Sequence, residues 1–306
     1  MNAPAGNTVK PRDLRPAFVE VPRELQRMAR IHQPADAEPP ILTGPVRDAV
    51  HRWLIEIQCE EELQQVGLAP RRTGIFAGPP GCGKTTLAHH LAARLGVALV
   101  EVNLQQTRSQ YIGESGRNID TLFSICREHH QKMVLFVDEI DAMAATRTND
   151  GQGGSREANA IVVALMSQID HYPGMMIAAT NMADNIDPAL WRRFGIQLEI
   201  GMPDADSRYA ILARYLAPYT LPEQDIDILC DVTIGATPAL LRNLMEGIKR
   251  DIVLSQKFGS EGDAVTVIGR VAAALQPHAN SDLPPLWHDF PAAARRLKQM
   301  SWPPGR

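Results

Sequence analysis

From residue 73 onward, short apolar runs alternate along the chain with segments of helical periodicity. Each run is almost entirely apolar, which is typical of strands buried on both faces of a sheet. Helical segments between successive runs favour parallel strands. The pattern predicts an α/β domain with a five-stranded parallel sheet flanked by helices, its strands at residues 73–77, 97–102, 133–137, 175–179 and 196–200.

The segment before the first strand has a different pattern. Residues 43–67 carry apolar side chains such as Val50, Trp53 and Ile57 at helical spacing, with Pro45 in the first turn and Gly67 at the end. They predict a packed helix. Residues 1–40 are rich in proline and have few periodic apolar positions, so a flexible N-terminal arm is expected there.

After residue 202 the strand pattern stops. Apolar residues at helical spacing predict three helices and a fourth within residues 262–275, which together make a small all-α domain. A proline-rich tail follows. The expected division of the chain is an arm, a large α/β domain, a helical domain and a tail, at residues 1–40, 41–202, 203–275 and 276–306.

Composition narrows the possible partners and location. The 306 residues include 31 basic and 35 acidic side chains, a formal net charge of −4 without a long block of one sign. Duplex nucleic acid is therefore not an expected partner. No apolar run has the length of a membrane span and the N-terminus lacks the apolar segment of a signal peptide, so we expect a cytoplasmic protein without a membrane partner.

The sequence GPPGCGKTT, residues 78–86, fits the pattern G-x-x-x-x-G-K-[ST] and lies between a predicted strand and a predicted helix. Glycines let backbone N–H groups turn toward phosphate oxygens, and the helix adds its positive end. Lys84 is expected at the β- and γ-phosphates, and the Thr85 hydroxyl at Mg²⁺. The predicted ATP-binding residues are Gly78, Pro79, Pro80, Gly81, Cys82, Gly83, Lys84, Thr85 and Thr86.

A second motif, MVLFVDEIDAM at residues 133–143, ends a predicted strand with two carboxylates. Ligands collect at the carboxyl ends of strands in open α/β sheets. Asp138 is expected to bind Mg²⁺ through water, and Glu139 to orient and deprotonate the attacking water. The two motifs together predict an ATPase that uses ATP and Mg²⁺.

These motifs, with others, resemble the AAA ATPases over about residues 40–254. AATN at residues 178–181 is similar to the family's sensor strand, and the resemblance implies that Asn181 helps to position the lytic water. NIDPALWRRFGIQLEI, residues 185–200, is similar to the katanin and spastin branch. The resemblance implies a P-loop NTPase sheet with a helical lid, and a hexameric ring in which Arg192 and Arg193 act as arginine fingers on the neighbouring subunit.

The segment TIGATPALLRNLMEG, residues 233–247, resembles the start of the family's lid helix. Pro238 stands where many relatives outside this branch have an arginine that senses the γ-phosphate. Arg242 lies one turn later. Two interpretations remain open for it: a contact with nucleotide, or a solvated helix face.

The sequence QYIGESG, residues 110–116, corresponds in the family to a loop that lines the central pore of the ring. The resemblance implies that Tyr111, Ile112 and Gly113 grip a polypeptide there, and that residues 147–155 form a second pore loop. The expected function is therefore an ATP-driven protein remodeller or unfoldase, which receives its protein substrate directly or through an adaptor. The residues ESG after the pore loop also resemble the remodeller that opens HORMA-domain proteins, a type that has compact bacterial relatives.

Two alternatives come from other classes of function. A nucleic-acid-linked ATPase, of the clamp-loader or helicase kind, predicts basic pore-facing loops, whereas residues 103–116 offer Arg108 alone. A non-threading switch, in which ATP only sets assembly, predicts that the pore tyrosine is dispensable.

Overall fold

A six-stranded sheet forms the centre of the large domain. The computed structural model describes residues 18–103, 114–141, 163–259, 262–275, 277 and 283–305, with the backbone alone for 114–118. The strands lie in the order β1-β3-β4-β5-β2-β6. In chain order they are Arg30–His32 (β1), Thr73–Ala77 (β2), Ala98–Asn103 (β3), Met133–Asp138 (β4), Met175–Thr180 (β5) and Ile196–Glu199 (β6).

Helices cover both faces of this sheet. Those of the large domain are Arg23–Met28, Gly44–Gln58, Glu60–Gln65, Lys84–Leu95, Glu114–Glu128, the helical residues 163–170, and Pro188–Trp191. The described part of the lid domain contains the helices Ala205–Leu216, Glu223–Val232, Pro238–Phe258 and Ala264–Ala274, and that of the tail contains Pro285–His288 and Phe290–Leu297. Within the described ranges, no helix has the length and apolar character that crossing a bilayer requires.

The five predicted parallel strands, β2 to β6, are confirmed, and their ladders are all parallel. Strands β2, β4 and β5 are almost completely buried, as expected for a sheet with helices on both faces. The four helices of the lid domain are also confirmed. They enclose a second apolar core that includes Leu212, Leu229 and Leu244.

The sixth strand, β1, was not predicted. It pairs antiparallel with β3, and the His32 side chain contacts the Glu101 carboxylate across the pair. A strand of three partly exposed residues has no apolar run by which a sequence pattern could reveal it. Just before it, the helix Arg23–Met28 buries Leu25 in the core of the large domain.

The expectation of a flexible arm over residues 1–40 is therefore wrong for residues 18–40. Leu25 and Val21 are packed in the core, and Gln33 fixes the segment by hydrogen bonds to the backbone of Val19. Two prolines of this segment have defined positions: Pro22 precedes the helix Arg23–Met28, and Pro34 begins a 3₁₀ turn. Residues 1–17 of the predicted arm lie outside the described residues.

The predicted helix over residues 43–67 is two helices that meet at Cys59. Trp53 anchors the first of them: it is 1% exposed, and its Nε1 donates a hydrogen bond of 2.7 Å to the Arg71 carbonyl. Its ring covers Gly74, where a Cβ atom would lie 2.5 Å from the indole. Trp53 thus fixes the helix against strand β2, from which the loop of residues 78–86 continues.

We expect Trp53→Ala to lower the free energy of unfolding of the large domain by about 3–5 kcal/mol, because it leaves a large cavity and removes the hydrogen bond to the Arg71 carbonyl. Ile55→Ala on the same helix is the matched control, because Ile55 is 43% exposed; its loss should stay below about 1 kcal/mol. Urea titration followed by circular dichroism measures both. Equal losses for the two variants would contradict the anchoring role.

Candidate nucleotide site

A cleft of about 370 Å³ lies between the large domain and the lid domain. Among the described residues, four parts of the chain line it. They are the glycine-rich loop with the start of the following helix (Pro80–Thr86), the ends of strands β4 and β5 (Asp138, Glu139 and Asn181), the segment Pro39–Leu42, and the lid residues Ile211, Arg214, Tyr215, Pro238, Ala239 and Arg242. Most of the predicted ATP-binding residues therefore share one cavity with the predicted catalytic residues Glu139 and Asn181.

The order of the strands explains this convergence. Strand β2 leads into the glycine-rich loop and lies between β5 and β6. Strand β4, which delivers Asp138 and Glu139, is not the neighbour of β2, because β5 lies between them. Asn181, just after β5, consequently stands between the loop and the two carboxylates.

Two glycines of the loop are required by their surroundings. Gly78 has φ 148°, and a Cβ there would lie 2.1 Å from the Ile200 carbonyl oxygen. Gly81 has φ 78°, and its Cβ would lie 3.0 Å from the Cβ of Ala239 in the lid. Glycine alone allows the backbone to turn this tightly. The loop can thus present its N–H groups at the start of the helix Lys84–Leu95.

Lys84 is the most deeply buried charged residue of the cleft, with 7% of its surface exposed. Its Nζ donates hydrogen bonds to the Gly78 carbonyl (2.7 Å), the Pro79 carbonyl (3.0 Å) and Asn181 Oδ1 (2.7 Å). Burial lowers the pKa of the ammonium group, although the carboxylates of Asp138 and Asp141 act in the opposite direction. Neutral oxygens therefore hold a desolvated cation in place.

Asp138 and Glu139 close the other side of the cleft. Burial raises the pKa of the Asp138 carboxyl, against the hydrogen bond of 2.9 Å that its Oδ1 accepts from the Glu139 N–H. Glu139 has φ 52°, a left-handed conformation that non-glycine residues rarely adopt. Asn103, at the end of β3, donates a hydrogen bond of 3.5 Å to Glu139 Oε2. The strained backbone at Glu139 turns its carboxylate away from the direction of strand β4.

The lid contacts the glycine-rich loop directly. The N–H of Ala239, in the first turn of the helix Pro238–Phe258, donates a hydrogen bond of 3.1 Å to the Gly81 carbonyl. Arg242 lines the cleft from the same helix, but its guanidinium forms an ion pair with Glu246 (2.8 Å) and lies 5.0 Å from the centre of the Tyr215 ring. Arg242 thus lines the candidate nucleotide site, but its guanidinium is paired with Glu246.

Arg192 and Arg193 lie outside the cleft. Both are exposed, after the short helix Pro188–Trp191, and neither lines the cleft. The carbonyl of Arg193 accepts a hydrogen bond of 3.2 Å from Thr73 Oγ1, and its guanidinium pairs with Asp170. Thr73 begins strand β2, whereas the glycine-rich loop follows the other end, roughly 13 Å away at about 3.3 Å per residue.

Two parts of the described cleft lining were not predicted from sequence, the segment Pro39–Leu42 and the lid residues Ile211, Arg214, Tyr215 and Ala239. The contact of Asn103 with Glu139 was not predicted either. The apolar Ile41–Leu42 pair after two prolines was the available signal for the first. The pore-loop predictions Tyr111, Ile112 and Gly113, and the predicted second pore loop at 147–155, lie outside the described residues.

The donor set of the cleft fits a hard divalent cation. The Thr85 hydroxyl and the Asp138 carboxylate are both oxygen ligands that line it, and Mg²⁺ prefers one or two such groups together with phosphate and water oxygens. Burial raises the pKa of the Asp138 carboxyl. A cation bound at its oxygens would favour the ionised form.

Comparisons with known proteins agree with this geometry. Residues 75–202 match the family model described as "ATPase family associated with various cellular activities (AAA)". The chain is 33% identical over 203 residues to a proteasome-activating nucleotidase of Pyrococcus abyssi, a match that covers 64% of this chain and 50% of the relative.

Two further relatives also match this chain. A probable 26S proteasome regulatory subunit 10B of Caenorhabditis elegans is 32% identical over 234 residues, which are 74% of this chain and 57% of the relative. An uncharacterized AAA family ATPase of Sinorhizobium fredii is 41% identical over 163 residues, 53% of this chain and 47% of the relative. The chain spans about half the length of the curated relatives it matches.

The chain therefore contains an ATPase domain of the AAA family, and the predicted resemblance is confirmed. Its matched segment runs from strand β2 to the residues after β6 and includes the glycine-rich loop, both carboxylates, Asn181 and the two arginines. Proteins of this family bind ATP, and membership indicates ATP hydrolysis.

We expect Asp138→Asn to raise the thermal midpoint of the nucleotide-free protein and to reduce ATP turnover to background. Because burial raises the pKa of Asp138, the ionised carboxylate opposes folding at neutral pH. Asparagine removes that charge and keeps the acceptor for the Glu139 N–H. The gain should disappear below about pH 4, where the carboxyl is protonated in both the folded and the unfolded state.

Differential scanning fluorimetry across pH and a phosphate-release assay measure the two effects. The exposed Asp184→Asn serves as the matched control and should change neither. A lower midpoint for Asp138→Asn at pH 7 would contradict the assignment of an uncompensated charge.

Proposed function

We propose that this protein is an ATP-driven protein remodeller that works as a homo-oligomeric ring, most simply a hexamer, and pulls a polypeptide through the central pore. ATP is the nucleotide and Mg²⁺ its metal. The observation that carries the proposal is the position of the cleft between two domains, with the Ala239–Gly81 hydrogen bond joining the lid to the glycine-rich loop. A ligand bound between two domains acts on the angle between them.

Within the cleft, each part has its own task. The glycine-rich loop and Lys84 bind the phosphates, Thr85 and Asp138 hold Mg²⁺, and Asn181 and Glu139 position and activate water. The apolar side chains of Ile41, Leu42, Ile211 and Tyr215 are available to the adenine ring, because all four line the cleft. Magnesium would neutralise phosphate charge at the oxygens of Thr85 and Asp138.

Arg192 and Arg193 are proposed to act on the nucleotide of a neighbouring copy. Their position near the amino end of β2 leaves them too far from the phosphates of their own chain, while their exposure leaves them accessible to another. Fingers supplied in this way require an oligomer. The site is then complete only at a boundary between two copies.

Protein as the substrate class rests on two supports. The first is the names of two relatives, a proteasome-activating nucleotidase and a probable 26S proteasome regulatory subunit 10B. The sequence also places an aromatic residue, Tyr111, in the segment that corresponds to a pore loop, where stacking grips a chain regardless of its sequence. An adaptor remains part of the proposal as a means of substrate delivery.

Glu139→Gln should bind ATP without turning it over and should hold the assembled ring, because the amide cannot accept the proton of the attacking water. Mass photometry with ATP measures assembly, and chromatography of the bound nucleotide measures hydrolysis. The control is Glu199→Gln at the exposed end of β6, which should turn over ATP as the wild type does. Unchanged turnover in Glu139→Gln would remove this residue from the mechanism.

Arg192→Ala and Arg193→Ala should each lower turnover by about 10³-fold or more, the effect of losing an arginine finger. Affinity for ATP should change little. Mixing Arg192→Ala chains with Glu139→Gln chains should restore part of the activity, since one variant supplies intact catalytic groups and the other intact arginines. Arg295→Ala, an exposed arginine of the tail, is the control. Failure of the mixture to regain turnover would contradict action on a neighbour.

Tyr111→Ala should keep ATP turnover within about twofold of wild type while abolishing unfolding of a protein substrate, because the change removes the grip but not the site. The measurement pairs phosphate release with loss of fluorescence from a tagged fluorescent protein. A harmless Tyr111→Ala would favour a non-threading switch. ATPase activity stimulated by DNA and lost steeply with salt would favour a nucleic-acid motor.

A further inference from the structure

A second cavity, of about 510 Å³, lies in the large domain beside the candidate nucleotide site. Two helices form its sides: the first half of Gly44–Gln58, and Lys84–Leu95, which follows the glycine-rich loop. The segment Pro40–Leu42 lines both cavities and is therefore a wall that they share. Sites that enclose a small molecule typically measure about 300–1,000 Å³. This cavity is called the side pocket.

The side pocket has an apolar base. Val50 and Leu54, one turn apart on the first helix, are 5% and 6% exposed. Ile41 and Leu42, which line the same pocket, are half-buried. A ligand that placed an aromatic ring or a hydrocarbon part on this base would remove apolar surface from water, on the ligand as well as on the protein. The base therefore favours a ligand with an apolar part.

Four basic side chains also line the pocket. Arg47 and His51 are four residues apart on one helix, and His90 and Arg94 are four residues apart on the other. Residues spaced by four lie on the same face of a helix. Two pairs of basic groups are thus directed to one cavity from two helices.

These basic groups have little negative charge near them. Asp48 is the one carboxylate among the described lining residues; it lies 3.9 Å from Arg47, and the two side chains are 74% and 71% exposed. An ion pair this open to water contributes little. In the described parts of the chain, Arg94, His51 and His90 take part in no ion pair.

His90 shows the effect of this environment. Burial lowers the pKa of its imidazole, and the charges of Arg94 and His89 act in the same direction. All three influences disfavour the protonated form. An anion bound in the pocket would oppose them, and it would also relieve the repulsion between like charges four residues apart on each helix.

We propose that the side pocket binds a small phosphate-bearing molecule with an apolar or aromatic part, about the size of a mononucleotide, and that this ligand changes the affinity of the cleft for ATP. The guanidinium groups of Arg47 and Arg94 bind the phosphate, since arginine donors fit phosphate oxygens in pairs. A phosphate offers three acceptor oxygens to donors from the two helices. The imidazoles add further donors, and the base receives the apolar part.

The shared wall couples the two cavities. Next to Pro40–Leu42, the Pro39 carbonyl accepts a hydrogen bond of 2.6 Å from Arg214 of the lid. A ligand that holds this segment therefore acts on the nucleotide and on the lid together. By linkage, ATP changes the affinity for the ligand by the same factor. The site does not depend on the proposed ring or pore, whereas the coupling rests on ATP binding in the cleft.

Binding of naphthyl phosphate tests the site, because this fluorescent molecule joins a phosphate to an aromatic ring system. One equivalent of a non-hydrolysable ATP analogue with Mg²⁺ first fills the cleft. Fluorescence anisotropy should then show saturable binding of one molecule per chain, which inorganic phosphate displaces. Inorganic phosphate should bind at least about tenfold more weakly, because it has no part that covers the apolar base.

Substitution of the arginines locates the bound molecule. Arg47→Glu and Arg94→Glu should each weaken binding by about tenfold or more, as loss of a charge-assisted hydrogen bond does. Arg94→Gln, which removes the charge without reversing it, should act in the same direction. Arg52→Glu is the matched control, because Arg52 is exposed on the same helix as Arg47 and does not line the pocket. Retention of the ATP analogue shows that each variant is folded.

Three outcomes would overturn the inference. The first is no saturable binding of naphthyl phosphate to the wild type. The second is binding that the substitutions of Arg47 and Arg94 leave unchanged, or that Arg52→Glu weakens as much as they do. The third is equal affinity for naphthol, which has the ring system without the phosphate.

Titration of the ATP analogue with and without naphthyl phosphate tests the coupling. Each ligand should change the apparent affinity for the other by the same factor, about fivefold or more, and Arg94→Glu should abolish this effect. Independent binding of the two ligands would overturn the coupling. The ring and the pulling of a polypeptide are tested separately, by assembly and by substrate unfolding, so that their failure is distinguishable from failure of the side pocket.

Discussion

The buried ammonium group of Lys84 is the interaction on which the candidate site depends. An isolated cation loses much of its hydration when it is placed in a protein interior, and this loss is tolerated only where oxygens replace water. Here the Gly78 and Pro79 carbonyls and the Asn181 side chain replace it. The loop conformation places the two carbonyls beside Lys84, and strand β5 places Asn181 there. An anionic ligand is the natural complement of a charge held in this way.

A second desolvated group, the Asp138 carboxyl, faces the same cleft with its pKa raised by burial. The protein therefore holds a cation and an anion that do not neutralise each other directly. In the proposed function, Lys84 would bind the phosphate oxygens of ATP and Asp138 would hold the metal, so that each bound group would balance the charge of the residue that it contacts. The lid completes the enclosure, because the Ala239 N–H bonds to the Gly81 carbonyl of the same loop. Ligand binding at the glycine-rich loop and the orientation of the lid relative to the large domain therefore depend on the same contact.

Much of this could be predicted from the sequence, for physical reasons that differ between elements. Strands β2 to β5 are mostly apolar runs, whereas β6 alternates apolar and polar residues. The glycine-rich loop has a sequence pattern that is specific to phosphate binding. Strand β1 could not be predicted, because its three residues pair through the backbone at a sheet edge and carry no apolar pattern. Nor could the lining of the cleft by Tyr215 and Pro39–Leu42, which depends on how the lid closes on the large domain. Periodicity predicts buried faces but not the contacts between domains.

The measurement that tests the central claim most directly is equilibrium binding of ATP with Mg²⁺ to the wild type and to Lys84→Met by isothermal titration calorimetry. Methionine has a similar length and suits a buried position, so the variant should fold. Loss of a buried charged partner costs about 2–5 kcal/mol, so the account predicts an affinity at least about thirtyfold weaker for Lys84→Met. Equal affinities for the two proteins would contradict a site organised around the Lys84 ammonium.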